Sequence, residues 1–240
     1  MTASPTADAN FERLSRNPYP GRGLVIGRAP EGDSWLILYW IMGRSANSRN
    51  RRFAAEGGTL RTEPVDLRLV TDPSLIIYEA MLERSGLFIV SNGDQTRTVA
   101  EALKSGGSFD AALSTREREP DAPNFTPRIT GLLDLREGAG AVTLSLLKAH
   151  PLDPRLTDRT TIRPAAPAPG FGFGLTTYSG DGNPLPSFSG DPLLLPLPGG
   201  AETVLDAYWG ALNAENRISL AVKEVPAGGG ASRILVRNRF

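Results

Sequence analysis

The sequence predicts an α+β fold in which mostly antiparallel sheets are covered by helices. Strand-like and helix-like segments are mixed along the 240 residues, which argues against an all-β chain. Their order contains no repeated β-α-β unit of the kind that builds a parallel sheet. Residues 1–16 are small, polar and proline-containing, so we expect a flexible tail there. The Pro/Gly-rich stretch 164–170 is a weak candidate boundary, and we expect one domain over residues 17–240.

Apolar runs in the first third of the chain predict a β-hairpin followed by more extended chain. The runs 24–26 and 35–41 are separated by the turn-rich sequence "APEGD". An arginine-rich segment comes directly after the second run, and residues 60–71 are again expected to be extended.

A helix is predicted over residues 72–86. Asp72 is suited to the N-cap, Pro73 to the first helical position and Gly86 to the C-terminal stop. At about 100° per residue, Tyr78 falls beside the apolar stripe of this helix rather than on it. Its phenol is therefore either a proton donor to a ligand or a half-exposed packing group.

The rest of the chain supplies further strands and capped helices. Residues 87–91 predict a strand, after which Asp94 and Ser108 are suited to cap two helices. Residues 201–213 carry apolar side chains at helical spacing. Strands are expected at 141–150 and 169–180, and in a terminal hairpin at 217–225 and 232–240.

Composition excludes several classes of function. With 26 basic and 26 acidic residues, the whole surface is not built to attract nucleic acid or an anionic membrane, so any anion site is local. The absence of cysteine and the single histidine, His150, argue against disulfides, a thiolate nucleophile, a zinc centre or a Ser/His/Asp triad. We expect no metal or organic cofactor. No apolar window of membrane-spanning length or secretory leader is present, so we expect a cytoplasmic protein.

The segment "MGRSANSRNRRF" concentrates fixed positive charge in a nearly neutral chain. Guanidinium groups of Arg44, Arg49 and Arg51, with Ser45 and Asn47, suit a phosphate monoester. A solvated basic loop or a contact to RNA backbone is the alternative. RNA is the weaker of these readings, because no aromatic residues are interleaved for base stacking.

Two further segments are candidates. Ser91, Asn92 and Gly93 form either an ordinary tight turn or a set of N–H donors before a helix. The sequence "REREPDAPNFTPRI" is either a solvated charged face or a place where an acid among arginines acts as a base or orients a cation.

Five ordered motifs, "PGRG…IGR", "GRSANSRNR", "DPSLIIYEAM", "VSNGDQT" and "NFTPRI", resemble those of the archaeal-type inosine monophosphate (IMP) cyclohydrolases and their bacterial relatives. The resemblance covers residues 19–129, and "TTYSGDGNPLPSFSGDP" and "YWGALNAENRISLAVK" resemble the bacterial branch. It implies the four-layer αββα sandwich of the N-terminal-nucleophile hydrolases, with two mostly antiparallel sheets flanked by helices.

The resemblance also implies an activity and its residues. The activity is closure of 5-formamidoimidazole-4-carboxamide ribonucleotide to IMP and water. The catalytic arginine falls on Arg49, with Arg51 an adjacent alternative because the loop length differs. The tyrosine falls on Tyr78, and the acid falls on Glu119. Glu117 and Asp121 stay alternatives, because one extra residue lies near position 124.

The remaining substrate contacts and partners follow from the same resemblance. A purine mononucleotide is the expected partner, and the family's tendency to form multimers implies a homo-oligomer. Contacts to the nucleotide are expected from Arg22, Arg28, Arg44, Ser45, Asn47, Arg51, Ser91, Asn92, Gly93, Asn124, Thr126 and Arg128.

Two other functions remain as alternatives. A relative that keeps the pocket without the chemistry would be a non-catalytic purine-nucleotide-binding protein. An amide hydrolase acting on another substrate is disfavoured, since Arg22 and Gly23 stand where self-processing hydrolases of this fold carry their nucleophile.

Overall fold

The computed structural model describes residues 4–70, 77–136 and 140–240, which form two antiparallel sheets. The first sheet has six strands in the order β11-β10-β1-β2-β12-β13. These strands are β1 (Gly23–Arg28), β2 (Ser34–Met42), β10 (Phe171–Thr176), β11 (Leu193–Pro196), β12 (Arg217–Pro226) and β13 (Arg233–Asn238).

The second sheet has seven strands that follow one another in chain order. Residues 163–170 connect its last strand to β10, so the Pro/Gly-rich stretch carries the chain from one sheet to the other. The strands are β3 (Arg52–Glu56), β4 (Thr59–Glu63), β5 (Glu79–Arg84), β6 (Leu87–Ser91), β7 (Arg128–Asp134), β8 (Ala141–Ala149) and β9 (Thr157–Ile162).

The two sheets pack face to face, and helices cover both outer faces. Leu24 and Ile37 of the first sheet lie in one core with Val90 and Leu144 of the second. The helices α1 (Pro5–Arg16) and α5 (Ala201–Ala211) pack on the outer face of the first sheet. The helices α3 (Gln95–Lys104) and α4 (Phe109–Ser114) pack on the second. The predicted four-layer αββα sandwich is thereby confirmed.

The N-terminal segment is a docked helix, so the expectation of a flexible tail is wrong for its described residues. Ser4 caps α1, and Leu14 is buried against the first sheet. The ring of Phe11 meets that of Tyr208 edge-on at 5.2 Å. Asn10 donates to the carbonyl of Leu194 at 3.0 Å. Sparse apolar residues at helical spacing provide this docking surface despite the polar composition.

The predicted helix over 72–86 is wrong where the structure describes it. Glu79–Arg84 is strand β5, which pairs with β6 through a tight turn at Ser85 and Gly86. Both turn residues have positive φ, 42° and 82°, the conformation that such hairpins require. Burial on a pairing strand therefore overrode the helix-like spacing. Asp72 and Pro73 lie outside the described residues.

Most other predicted elements are confirmed. The hairpins β1–β2 and β12–β13 form as expected, as do β6, β8, β10 and α5. Asp94 precedes α3 without a side-chain cap, so that expected cap is wrong, whereas Ser108 does cap α4, which ends at Ser114. No helix among the described residues is long and apolar enough to cross a membrane.

Candidate functional site

A cleft of about 310 Å³ opens at the end of the sandwich where β1 begins and β2 ends. Four stretches of the chain line it, within 19–22, 42–51, 121–126 and 178–185. They belong to loops at one edge of the two sheets, which explains how segments far apart in sequence meet there.

A buried ion pair lies at this cleft. Arg22 Nη2 is 2.8 Å from Glu119 Oε2, and the two residues are only 8% and 4% exposed. Arg22 also donates through Nη1 to the carbonyl of Asn92 at 3.1 Å. Burial alone would lower the pKa of Arg22, but Glu119, with Tyr78 and Tyr39, raises it well above the ordinary value. The cleft therefore contains a cation fixed in position.

The arginine-rich segment supplies two more cations. Its Ser45 caps the short helix α2 (Ala46–Arg49) by accepting from the Ser48 N–H at 3.1 Å. The Arg44 guanidinium lies 4.7 Å from the ring centre of Tyr19 and pairs with Asp181. Arg51 is 7% exposed, and its Nε donates to the carbonyl of Ser48 at 3.0 Å. Arg44, Ser45 and Arg51 thus join Arg22 around one space.

Arg49 points elsewhere. Its Nε donates to the carbonyl of Gly43 at 3.1 Å and its Nη2 to that of Glu215 at 3.2 Å. These bonds tie α2 to the segment before β12. The cleft lining includes the alternative, Arg51, and does not include Arg49 or Asn47.

Tyr78 lies in the core between the sheets and is 6% exposed. Its hydroxyl is 2.7 Å from the hydroxyl of Tyr39. Burial, followed by Tyr78, raises the pKa of Tyr39 well above its ordinary value, so that phenol is neutral at physiological pH. Tyr39 stands opposite Leu24 of β1, two residues after Arg22, so the two phenols lie behind the cleft near its fixed cation.

Tyr78 also borders a larger cavity of about 470 Å³ beside α3. Its ionisable lining consists of Glu79, Asp94 and Glu101 against Arg61 and Arg97, and Arg97 is paired with Glu79 at 3.0 Å. This excess of acid disfavours an anion. The smaller cleft is therefore the better candidate for a phosphorylated ligand.

The three candidate acids are placed differently. Glu117 is exposed and pairs with Arg159 outside the cleft. Asp121 lines the cleft and accepts from the N–H of Thr126 at 2.7 Å. Only Glu119 of the three pairs with Arg22.

The turn 91–93 supports the cleft from behind. Asn92 donates to the carbonyl of Pro127 at 2.8 Å and accepts from the N–H of Ile129 at 2.8 Å. The Ser91 hydroxyl donates to the carbonyl of Gly93 at 2.9 Å. The described cleft lining contains none of these three residues, whose hydrogen bonds hold the loops that position Arg22.

Four expected ligand contacts remain, of which Thr126 lines the cleft. Arg128 is occupied with Gln95 at 2.7 Å and Asp94 at 3.0 Å, away from the cleft. Arg28 lies at the opposite end of β1, where it donates to the carbonyl of Gly32 at 3.1 Å. Asn124 does line the cleft, and its Oδ1 accepts from the N–H of Leu185 at 3.0 Å.

Sequence reasoning missed the aromatic wall of the cleft. Tyr19 and Tyr178 stack with ring centres 6.0 Å apart. Burial raises the pKa of Tyr178 to about 12. Both tyrosines stand in the family-like stretches "YPGRG" and "TTYSGDG", which was the available sequence cue. Among the described residues, no three His, Cys, Asp or Glu side chains gather to hold a metal ion.

Comparison with known proteins assigns the chain to a family. A family model described as "IMP cyclohydrolase-like protein" matches residues 19–229. An IMP cyclohydrolase of Methanocaldococcus jannaschii is 31% identical over 121 residues, which are 50% of this chain and 58% of the relative. One from Methanococcus maripaludis is 31% identical over 119 residues, or 48% and 58%. The match thus spans about 58% of the length of these curated relatives. Since the family model matches most of its length, this chain belongs to the IMP cyclohydrolase-like family.

Proposed function

We propose that this protein closes the purine ring of 5-formamidoimidazole-4-carboxamide ribonucleotide to give IMP and water. The observation that carries the proposal is the meeting of Arg22, Arg44 and Arg51 around one cleft, with Arg22 held by Glu119. Family membership and the names of the archaeal relatives support it.

The phosphate end of the cleft is assigned to Arg44, Arg51 and Ser45. Guanidinium groups bind phosphate oxygens by charge-assisted, often bidentate hydrogen bonds. Arg44 is partly exposed at the cleft mouth, where Asp181 now occupies it, so a phosphate competes with that carboxylate.

The reacting end is assigned to Arg22. In ring closure the carboxamide nitrogen attacks the formyl carbon and loses a proton, while the formyl oxygen gains one. The hydroxyl then leaves with the proton of the formamide nitrogen as water. We assign polarisation of the formyl oxygen to Arg22, because Glu119 keeps its guanidinium charged and immobile.

The proposed roles of the other residues follow from their contacts. Glu119 is a positioning residue that acts through Arg22. Arg22 takes the catalytic role first expected for Arg49, and Arg51 contributes to the phosphate end. Tyr78 stays the proposed proton donor, supported by its pairing with Tyr39 beside Arg22. Because both reacting groups belong to one molecule, orientation by these residues is the main requirement. The expected homo-oligomer also stays a prediction.

The test is an ultraviolet assay of hypoxanthine formation from the formamido nucleotide. We expect wild type to exceed the uncatalysed rate and Tyr78→Phe to turn over about 10²-fold more slowly, as for loss of a general acid, with IMP affinity retained. Binding of IMP without turnover by wild type would instead identify a purine-nucleotide-binding protein. Equal turnover by the Tyr78→Phe variant would remove Tyr78 from the chemistry.

A further inference from the structure

A chain of hydrogen bonds runs along one wall of the cleft. The hydroxyls of Tyr178 and Thr126 are 2.5 Å apart, and the Thr126 hydroxyl in turn donates to Asp121 Oδ2. The N–H of Thr126 donates to the other oxygen of the same carboxylate at 2.7 Å. Tyr178 and Thr126 are 5% and 2% exposed, so bulk water does not compete strongly for these groups.

The Asp121 carboxylate determines which group donates in each of these hydrogen bonds. An ionised carboxylate can only accept, and a hydroxyl has one proton to donate. Thr126 gives its proton to Asp121, so it must accept the proton of Tyr178. The hydroxyl of Tyr178 therefore donates its proton to Thr126, and its oxygen can still accept a hydrogen bond from another group. Burial raises the pKa of Tyr178 to about 12, which keeps this phenol protonated at neutral pH.

Tyr178 lines the cleft together with residues of both proposed ends. On one side its ring stacks on Tyr19, which lies beneath Arg44 at the proposed phosphate end. Toward the proposed reacting end, the N–H of Thr177, the residue before Tyr178, donates to the carbonyl of Arg22 at 2.8 Å. In a nucleotide the group between the phosphate and the base is the ribose, and its hydroxyls are hydrogen-bond donors.

We propose that the Tyr178 hydroxyl oxygen accepts a hydrogen bond from a ribose hydroxyl of the bound nucleotide and makes the cleft selective for ribonucleotides. The inference rests on the proposed function, whose site it deepens. Tyr178 is a specificity-determining residue in this scheme, and Thr126 and Asp121 position its hydroxyl.

The test is calorimetric titration of wild type and Tyr178→Phe with IMP, 2′-deoxy-IMP and 3′-deoxy-IMP. Phenylalanine keeps the stack on Tyr19 and removes only the hydroxyl. Loss of one such hydrogen bond should weaken binding about tenfold. We expect wild type to bind one deoxy analogue about tenfold more weakly than IMP, and Tyr178→Phe to bind IMP and that analogue equally weakly.

Tyr208→Phe is the matched control. Its hydroxyl donates to the carbonyl of Pro196 at 3.0 Å under α5, outside the cleft, so it should discriminate as wild type does. Equal binding of all three ligands by wild type, or discrimination that survives in Tyr178→Phe, overturns the inference alone. Failure of wild type to bind IMP at all rejects the proposed function, and this inference with it.

Discussion

Among the described residues, two ion pairs join the two sheets of the sandwich, one toward each end. At the cleft, Arg22 stands just before β1 of the first sheet and Glu119 in the loop before β7 of the second. Toward the other end, Lys223 on β12 pairs with Glu83 on β5. We refer to these as the cleft pair and the clamp pair.

Both side chains of the cleft pair are buried, and the pair keeps Arg22 positively charged. Its side chains are 10% and 5% exposed, and the remaining guanidinium donor contact goes to a backbone carbonyl. Despite burial, its carboxylate partner raises the pKa of Arg22. The pair therefore keeps a full positive charge beside the cleft.

The two side chains of the clamp pair differ in exposure. The side chain of Lys223 is 1% exposed and that of Glu83 is 35% exposed. Lys223 Nζ also donates to the carbonyl of Gly58 at 2.7 Å and lies 5.3 Å from the ring centre of Phe88. Burial lowers the pKa of Lys223, and Glu83 only partly offsets this. Here the protein tolerates a cation whose charge is opposed by its surroundings.

The two pairs show that ion pairs between a buried cation and a carboxylate can have different roles in one fold. A guanidinium beside a buried carboxylate resists losing its proton and can be aimed at a ligand. An ammonium in a core titrates more readily and mainly links strands. Function should therefore depend on the cleft pair, and the clamp pair should affect stability alone.

The largest effect is expected from Arg22→Met. The variant removes the cation at the reacting end, so ring closure should slow by about 10²- to 10³-fold, as for loss of a transition-state donor. It also leaves Glu119 buried without its partner, which should lower the free energy of unfolding by about 3 kcal/mol. Steady-state assays and urea unfolding measure the two effects.

The double variant Arg22→Met/Glu119→Leu separates the causes. Replacing a whole buried pair by apolar groups is often neutral, so most of the stability should return. Activity should not return, since the cation is still missing. An active double variant would show that the cleft pair is structural, and the comparison between the two pairs would break.

A smaller effect is expected from Lys223→Met. Glu83 is partly exposed and keeps the Ser232 hydroxyl at 2.5 Å, so it does not become a buried unpaired charge. The free energy of unfolding should fall by about 1 kcal/mol or less, and ring closure should be unchanged. Loss of activity in a folded Lys223→Met variant would contradict the division of work between the two ends.

Much of the fold followed from local patterns in the sequence. Apolar runs with turn residues located β1, β2, β12 and β13, because a hairpin needs only neighbouring chain. The prediction for the β5 segment was wrong because its apolar spacing also fits a helix, whereas its pairing with β6 depends on tertiary contacts. The sequence did not predict the docking of α1 for a related reason, since the surface of the first sheet on which α1 packs is formed by residues far along the chain.

The candidate site was predictable in part. Motif resemblance pointed to Arg22, Arg44, Ser45 and Arg51, which do line one cleft. It also pointed to Arg28, but Arg28 is the last residue of β1 and so lies at the end of the strand opposite the cleft. Tyr178 was not found, because its contact with Thr126 joins residues 52 positions apart. Such a pairing is visible only after the chain folds.

The smallest expected effect is a pH dependence that belongs to the clamp pair alone. The pKa of Lys223 is lowered below its ordinary value of 10.5 in the folded protein, mainly by burial. As pH rises toward 10.5, the folded state loses this proton before the unfolded state does. The unfolded state then binds more protons, so this group's contribution to stability increases with pH.

Urea unfolding of wild type and Lys223→Met at pH 8 and pH 10 isolates that contribution, because other titrating groups are common to both proteins. The free energy of unfolding of wild type relative to the variant should rise by less than about 1 kcal/mol between the two values. A relative fall would mean that attraction to Glu83 outweighs burial and that the pKa of Lys223 is raised. The clamp pair would then behave as the cleft pair does, and burial of both partners would no longer distinguish a cation aimed at a ligand from one that links strands.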